Sequence, residues 1–461
     1  MGRREARAVM RCRQVVAVLA AAAVVPASIS GTAAAVTPPT VDPGGLPPGN
    51  LPPVQSELRD PCAATSAVAN PAEVPRPQQS LDLDSVWPLT TGRGQLVAVI
   101  DTGVERHPRL PGLVPGGDFV STGDGTADCD AHGTLVAGLI AATRSEATGF
   151  AGVAPDARIL TIRQSSNIYR RVGADPDTDG RNARGVGNLT TLASAIRRAA
   201  DMNATVINIS EVACVPPGSG DHRALGAAID YAARIRDIVI VAAAGNLDTC
   251  PQSNPSPDPA RPHANPWEDV TTVATPAWYD EQVLAVGSVN DDGSPSPFTL
   301  PGPWVDVAAP GTGITSLDPR RPRDDGLTDS TNGGPVEGTS FSAPYVAGTA
   351  ALVRARHPEL TAAQVIARIE QTAHAPAAGW DPYVGHGVID PLAAVTAPQV
   401  EAVTSPRSAT VTLPEPVPPP DTRPRTVALV GAGVVATLLA LGLLASYPLR
   451  RRVHRVDTSA G

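Results

Sequence analysis

The sequence predicts an α/β protein of three layers, α/β/α, on a mainly parallel sheet, followed by one C-terminal transmembrane helix. Three observations carry this expectation. Short uninterrupted apolar runs, Leu96 to Ile100 and Ile238 to Ala244, have the length and the lack of alternation of strands buried on both faces. Longer apolar runs that open just after His132 and Ser340 read as helices, the second preceded by a tight glycine turn. Finally, Thr426 to Leu449 is 24 residues without a charge, long enough to cross a bilayer as a helix.

Taken in order, residues 1–35 read as a secretory signal peptide. Arg3, Arg4, Arg7, Arg11 and Arg13 precede the apolar run Val15 to Val25, and Ala33-Ala34-Ala35 offers a small-residue cleavage site. Residues 36–80 are rich in proline and glycine and carry too little periodic apolar sequence to fold alone, so they are expected to form an arm laid over an existing surface and kept on the mature protein. The folded domain is expected over 81–395. Within it the strand Arg158 to Ile162 is separated from the helix Leu189 to Met202 by an insertion, 163–188, rich in Arg, Asp, Asn and Gly; loops of that length are usually functional or disordered. Residues 396–425, with Pro414-Glu415-Pro416-Val417-Pro418-Pro419-Pro420, read as a semi-rigid stalk ahead of the membrane helix at 426–449. Arg450, Arg451, Arg452 and Arg455 in the tail, 450–461, place that tail in the cytoplasm by the positive-inside rule. The topology is single-pass, type I, in the cell membrane, with the domain outside the cytoplasm.

Composition excludes some functions. The formal net charge is −9 and every basic side chain apart from histidine is arginine, with no basic patch, so nucleic acid is not an expected partner. Neither Cys-x-x-Cys nor His-Glu-x-x-His occurs, and the Asp175 to Asp179 segment lacks the spacing of a calcium loop. No metal and no cofactor are expected.

The chemistry lies in three motifs. Asp101-Thr102-Gly103 ends an apolar strand, His132-Gly133-Thr134 opens a helix, and Gly338-Thr339-Ser340 opens another. A carboxylate at a strand end can fix the histidine tautomer and stabilise the imidazolium that forms as histidine takes the serine proton. A serine in the first helical turn keeps its N–H free for a developing oxyanion. Asn246, after Gly245 at the end of the apolar run from Ile238, is the expected side-chain donor to that oxyanion. Singly, each motif is a turn or a cap. In the chain order Asp, His, Ser they form a serine protease triad, and Gly-x-Ser-x-Gly is ruled out because Ser342 stands where glycine is needed.

With Val206-Ile207-Asn208-Ile209-Ser210 and Ala243-Ala244-Gly245-Asn246 added to these motifs, residues 81 to 395 resemble the subtilisin-like serine peptidases. The resemblance implies a subtilisin-like fold, a hydrolase acting on protein or peptide, and a substrate cleft bordered by Ser210 and Glu211. Glu211-Val212-Ala213-Cys214 stands where a small glycine-containing segment is usual, so the resemblance does not carry over a side-chain preference at the scissile bond. Of five cysteines, Cys12 lies in the signal peptide, and the remaining four allow three pairings. In a subtilisin-like sheet the strands ending at Ser210 and Asn246 are neighbours, so the resemblance implies the disulfide Cys214–Cys250 and with it Cys62–Cys129.

The order of signal peptide, tied arm, peptidase domain, stalk and anchor further resembles the mycosins, membrane-anchored peptidases of type VII secretion systems. That resemblance implies a membrane secretion complex as partner. It also supplies a competing reading, a structural subunit that stabilises the complex and for which proteolysis is secondary.

Overall fold

Val97 and Val99 of the strand that carries Asp101 belong to one hydrophobic core, while Ala98 and Ile100 belong to another on the opposite face of the sheet. This period-two division of an all-apolar strand is what two helical layers require. The computed structural model describes residues 36–398, apart from 38, 40, 174–184, 220, 221, 251, 257, 259, 262–264 and 322–325, together with 431–442. The signal peptide, the stalk beyond 398, the tail and Asp175 to Asp179 lie outside the described residues.

The strands in chain order are β1 (Ser56–Leu58), β2 (Thr65–Ala67), β3 (Leu96–Asp101), β4 (Val114–Asp118), β5 (Arg158–Arg163), β6 (Tyr169–Arg171), β7 (Val206–Ile209), β8 (Ala213–Val215), β9 (Val239–Ala243), β10 (Val273–Thr275), β11 (Val283–Val289), β12 (Val307–Pro310), β13 (Ser316–Leu317), β14 (Leu327–Thr331) and β15 (Gly334–Pro335). Seven of them form the central sheet, in the order β12-β11-β9-β7-β3-β5-β4, and all of its pairings are parallel. The helices His132–Ala141 and Thr339–Arg356 pack on one face, and Leu189–Asp201 and Arg223–Asp230 on the other. The expected three-layer α/β/α architecture is thus present.

The Thr339–Arg356 helix is buried over 14 of its 18 residues, which explains an apolar sequence with no polar stripe: it runs through the core rather than over it. The helix Leu189–Asp201 is amphipathic and starts on a capping box in which Asn188 and Thr191 exchange side-chain and backbone hydrogen bonds.

The arm does not form a separate module. Its β1 pairs antiparallel with β6, in the first part of the 163–188 insertion, and its β2 joins β14. The insertion therefore contains structure where the sequence shows only a long polar loop. Both disulfides are as implied, Cys62–Cys129 and Cys214–Cys250, with Cα separations of 4.6 and 5.3 Å. Arg320 secures the same place by donating to the carbonyls of Ala63, Asp128 and Cys129.

Residues 399–461 form a separate unit, of which 431–442 are described as a helix. Among the described residues, no helix is long and apolar enough to cross a membrane.

Candidate active site

Parallel strands deliver their carboxyl ends to one edge of a sheet, and the candidate residues collect there. Asp101 ends β3, Ser210 follows β7, Asn246 follows β9, and β3, β7 and β9 are adjacent. His132 is the first residue of its helix and Ser340 the second of its own. His132, Ser210, Glu211, Asn246 and Ser340 all line one cleft of about 330 Å³.

The Asp101–His132 pair is built first. The fully buried Asp101 accepts at Oδ1 from His132 Nδ1, at 2.7 Å, and from the Thr102 N–H, at 2.7 Å. Its Oδ2 has no partner among the described residues. The glycines of the two motifs make the approach possible. A Cβ on Gly133 would lie 2.0 Å from the Gly103 carbonyl oxygen, and one on Gly103, at φ +102°, 2.3 Å from that of Ala127. Asp128 braces the same turn. Its carboxylate accepts from the Thr102 hydroxyl and from both the N–H and the hydroxyl of Thr134, in the first turn of the His132 helix. Burial raises the Asp128 carboxyl to about 7, against the opposing effect of those bonds. The Asp-x-Asp spacing ahead of His132, Asp128 and Asp130, was the available signal for this bracing, and the motif reading passed over it.

Ser340 is held by its own helix start. Its N–H lies in the first turn, where no intrahelical acceptor exists. Four residues on, Pro344 has no N–H to give, so the Ser340 carbonyl is released from the helical ladder and accepts the Ser210 hydroxyl at 2.7 Å. Asn208 in turn donates to that hydroxyl. In the reverse direction Ser340 Oγ donates to the Ser210 carbonyl at 2.8 Å. No hydrogen bond joins Ser340 to His132 in this state; the imidazole packs instead against Phe341, with ring centroids 5.1 Å apart.

Asn246 has a fixed orientation. Its Oδ1 accepts from the N–H and the hydroxyl of Thr339, each at 2.9 Å, which turns its Nδ2 away from those donors. A Cβ placed on Gly338 would lie 3.5 Å from that Nδ2, so the amide sits at the open turn preceding Ser340. Thr339 and Pro344, visible in the motif but without a role there, thus acquire one each.

Glu211, on the wall of the cleft, joins the Asp101–His132 pair. Asp101, His132 and Glu211 each place one oxygen or nitrogen within 4.8 Å of the others, the one such trio among the described residues with a spacing that a metal ion requires. The Asp101–His132 hydrogen bond already uses two of the three groups, so the trio acts as a charge cluster. Burial is the largest influence on His132 and pulls its basicity down. Asp101, through charge and hydrogen bond, outweighs it with help from Glu211 and Asp128, and the imidazole ends raised to about 9. Glu211 is itself raised, first by burial and then by Asp101, with His132 opposing.

The chain matches the subtilase family over residues 92–387. Mycosin-4 of Mycobacterium tuberculosis is 51% identical over 396 residues, covering 83% of this chain and 84% of that protein. Among solved structures, MycP1 from the ESX-1 type VII secretion system superimposes with a TM-score of 0.73 at 44% identity, covering 79% of this chain and 96% of the other. A chain of the intact ESX-5 inner membrane complex gives 0.72 at 41% identity, covering 90% and 100%. At this identity and coverage, this chain belongs to the subtilase family of serine peptidases, among its mycosins.

Proposed function

We propose that the chain is a membrane-tethered serine endopeptidase of a type VII secretion system, working outside the cytoplasm through an acyl-enzyme on Ser340. The observation that carries the assignment of residues is the convergence of Asp101, His132, Asn246 and Ser340 on one cleft, with Asp101 and His132 already hydrogen-bonded at 2.7 Å.

In this reading His132, in its neutral form, accepts the Ser340 proton at Nε2 as Ser340 Oγ attacks the substrate carbonyl carbon. Asp101 holds the other nitrogen protonated and stabilises the imidazolium. The oxyanion is received by Asn246 Nδ2 and the Ser340 N–H. His132 then gives the proton to the leaving amine as the peptide bond breaks. Water, deprotonated by the same imidazole, hydrolyses the ester and restores Ser340. Leaving the Ser210 carbonyl for His132 is a rotation of the serine side chain, and catalytic hydrogen bonds commonly tighten only with substrate in place.

The secretion role rests on the likeness to MycP1 and to the ESX-5 complex chain, and the tether on the uncharged run 426–449. The test compares the N-termini of secreted proteins from cells carrying the native chain and Ser340→Ala. Termini that vanish in the variant identify the substrate. Unchanged termini, with secretion lost only when the gene is deleted, would replace this reading by that of a structural subunit.

A further inference from the structure

Asp101, Glu211, Asp128 and Asp130 all lie close enough to His132 for their charges to act on it. Asp101 comes from the end of β3, Asp128 and Asp130 from the segment before the His132 helix, and Glu211 from the segment after β7. Three of these are committed elsewhere. Asp101 is the hydrogen-bonded partner of the imidazole, Asp128 is buried against Thr102 and Thr134, and Asp130 accepts from the Ser166 hydroxyl and the Asn167 N–H at 2.6 and 2.7 Å. Glu211 differs in place and in partners. It lies half-buried on the wall of the cleft, and no salt bridge joins it to an arginine among the described residues.

A second observation concerns the serine. A neutral imidazole presents an acceptor at Nε2, whereas an imidazolium presents only donors. The Ser340 hydroxyl gives its proton to the Ser210 carbonyl and makes no hydrogen bond with His132. In that geometry Ser340 does not use the acceptor a neutral imidazole offers, and the Glu211 carboxylate, within 4.8 Å of both His132 and Asp101, favours the doubly protonated ring.

We propose that Glu211 is a positioning residue that helps to hold the second proton on His132 and so lowers the share of molecules whose imidazole can accept from Ser340. This deepens the proposed protease reading and rests on it for the role of His132. The physical cost is explicit. Stabilising imidazolium strengthens it as an end state of the first proton transfer but lowers the fraction of molecules able to begin. With His132 raised to about 9, that fraction at pH 7 is small, and the direction of the Glu211 contribution matches the geometry.

The test uses the full chain in detergent, native, Glu211→Gln and Glu211→Asp, with histidine Cε1 signals followed by NMR from pH 5 to 10 and His132 assigned from a His132→Asn sample. In parallel, the rate of labelling by a fluorophosphonate is followed over the same range. The Gln variant should move the His132 titration down by at least one unit, and its labelling rate at pH 7 should rise about tenfold, the ratio of neutral imidazole that one unit gives. The Asp variant should fall between. A His132 titration that is the same in native and Gln proteins overturns the proposal. If the titration moves but no serine is labelled in any variant, Glu211 is confirmed as the group that sets His132 and the triad reading is what fails.

Discussion

Replacing Asp101 by Asn should cost activity by an amount that depends strongly on pH. Asn has nearly the shape of Asp, but Oδ1 receives both the Thr102 N–H and His132 Nδ1, so an amide cannot serve that position as the carboxylate does. With its NH2 group there the Thr102 bond is lost and the histidine tautomer is reversed, leaving a proton on the nitrogen that must accept from Ser340. In serine proteases of this type that change costs about 10⁴ in kcat. A second effect works in the opposite direction. Asp101 is the main influence raising His132 to about 9, so without it burial pulls the imidazole back toward its ordinary range. At pH 7 only about one native molecule in a hundred then has a neutral His132, whereas about half or more of the variant molecules do. The expected deficit is therefore about 10⁴ at pH 10 and only about 10² at pH 7, with the acid limb of the variant displaced downward by more than one unit. The assay is the second-order rate of fluorophosphonate inactivation between pH 6 and 10. A deficit that is the same at every pH, or an unmoved limb, refutes the assignment of Asp101 as the group that sets His132.

Three further outcomes follow from the same geometry. Asn246→Ala should lower kcat by about 10²–10³ with little change in KM, and Thr339→Val, which removes one of the two donors that orient the Asn246 amide, should lower it by a smaller factor, both measured as steady-state peptide hydrolysis. Removing the Cys62–Cys129 bridge, which spans 67 residues, as a double serine variant should lower stability by about 4 kcal/mol in the chain-entropy model, read by denaturant unfolding of the oxidised proteins. Exhaustive chelation should leave the labelling rate unchanged, because in this mechanism the proton transfers and the oxyanion donors are all supplied by side chains and backbone; restoration of lost activity by added calcium would contradict that.

Legibility from sequence tracked the range of the interactions. The strand to Asp101, the helices at His132 and Ser340 and the strand to Ala244 were readable because buried parallel strands and core helices are written in contiguous residues. The motif glycines were readable for the same reason, since each sits one to two residues from the group it serves, and Asn246 because it closes a contiguous apolar strand. The 163–188 insertion was misjudged in part, because β6 carries no apolar alternation and owes its form to β1, more than a hundred residues away.

By itself the sequence determined the layered α/β class and the strand and helix ends on which Asp101, His132 and Ser340 stand, since those follow from local period and from turns that place a side chain at a strand or helix end. Only the tertiary structure decided what those residues meet. It brings Glu211 beside His132, pins Asn246 through Thr339, and uses the missing N–H of Pro344 to free the Ser340 carbonyl for Ser210. Those contacts join residues 79 to 130 positions apart, and nothing in a residue's neighbours along the chain encodes a distance that only the packed sheet creates.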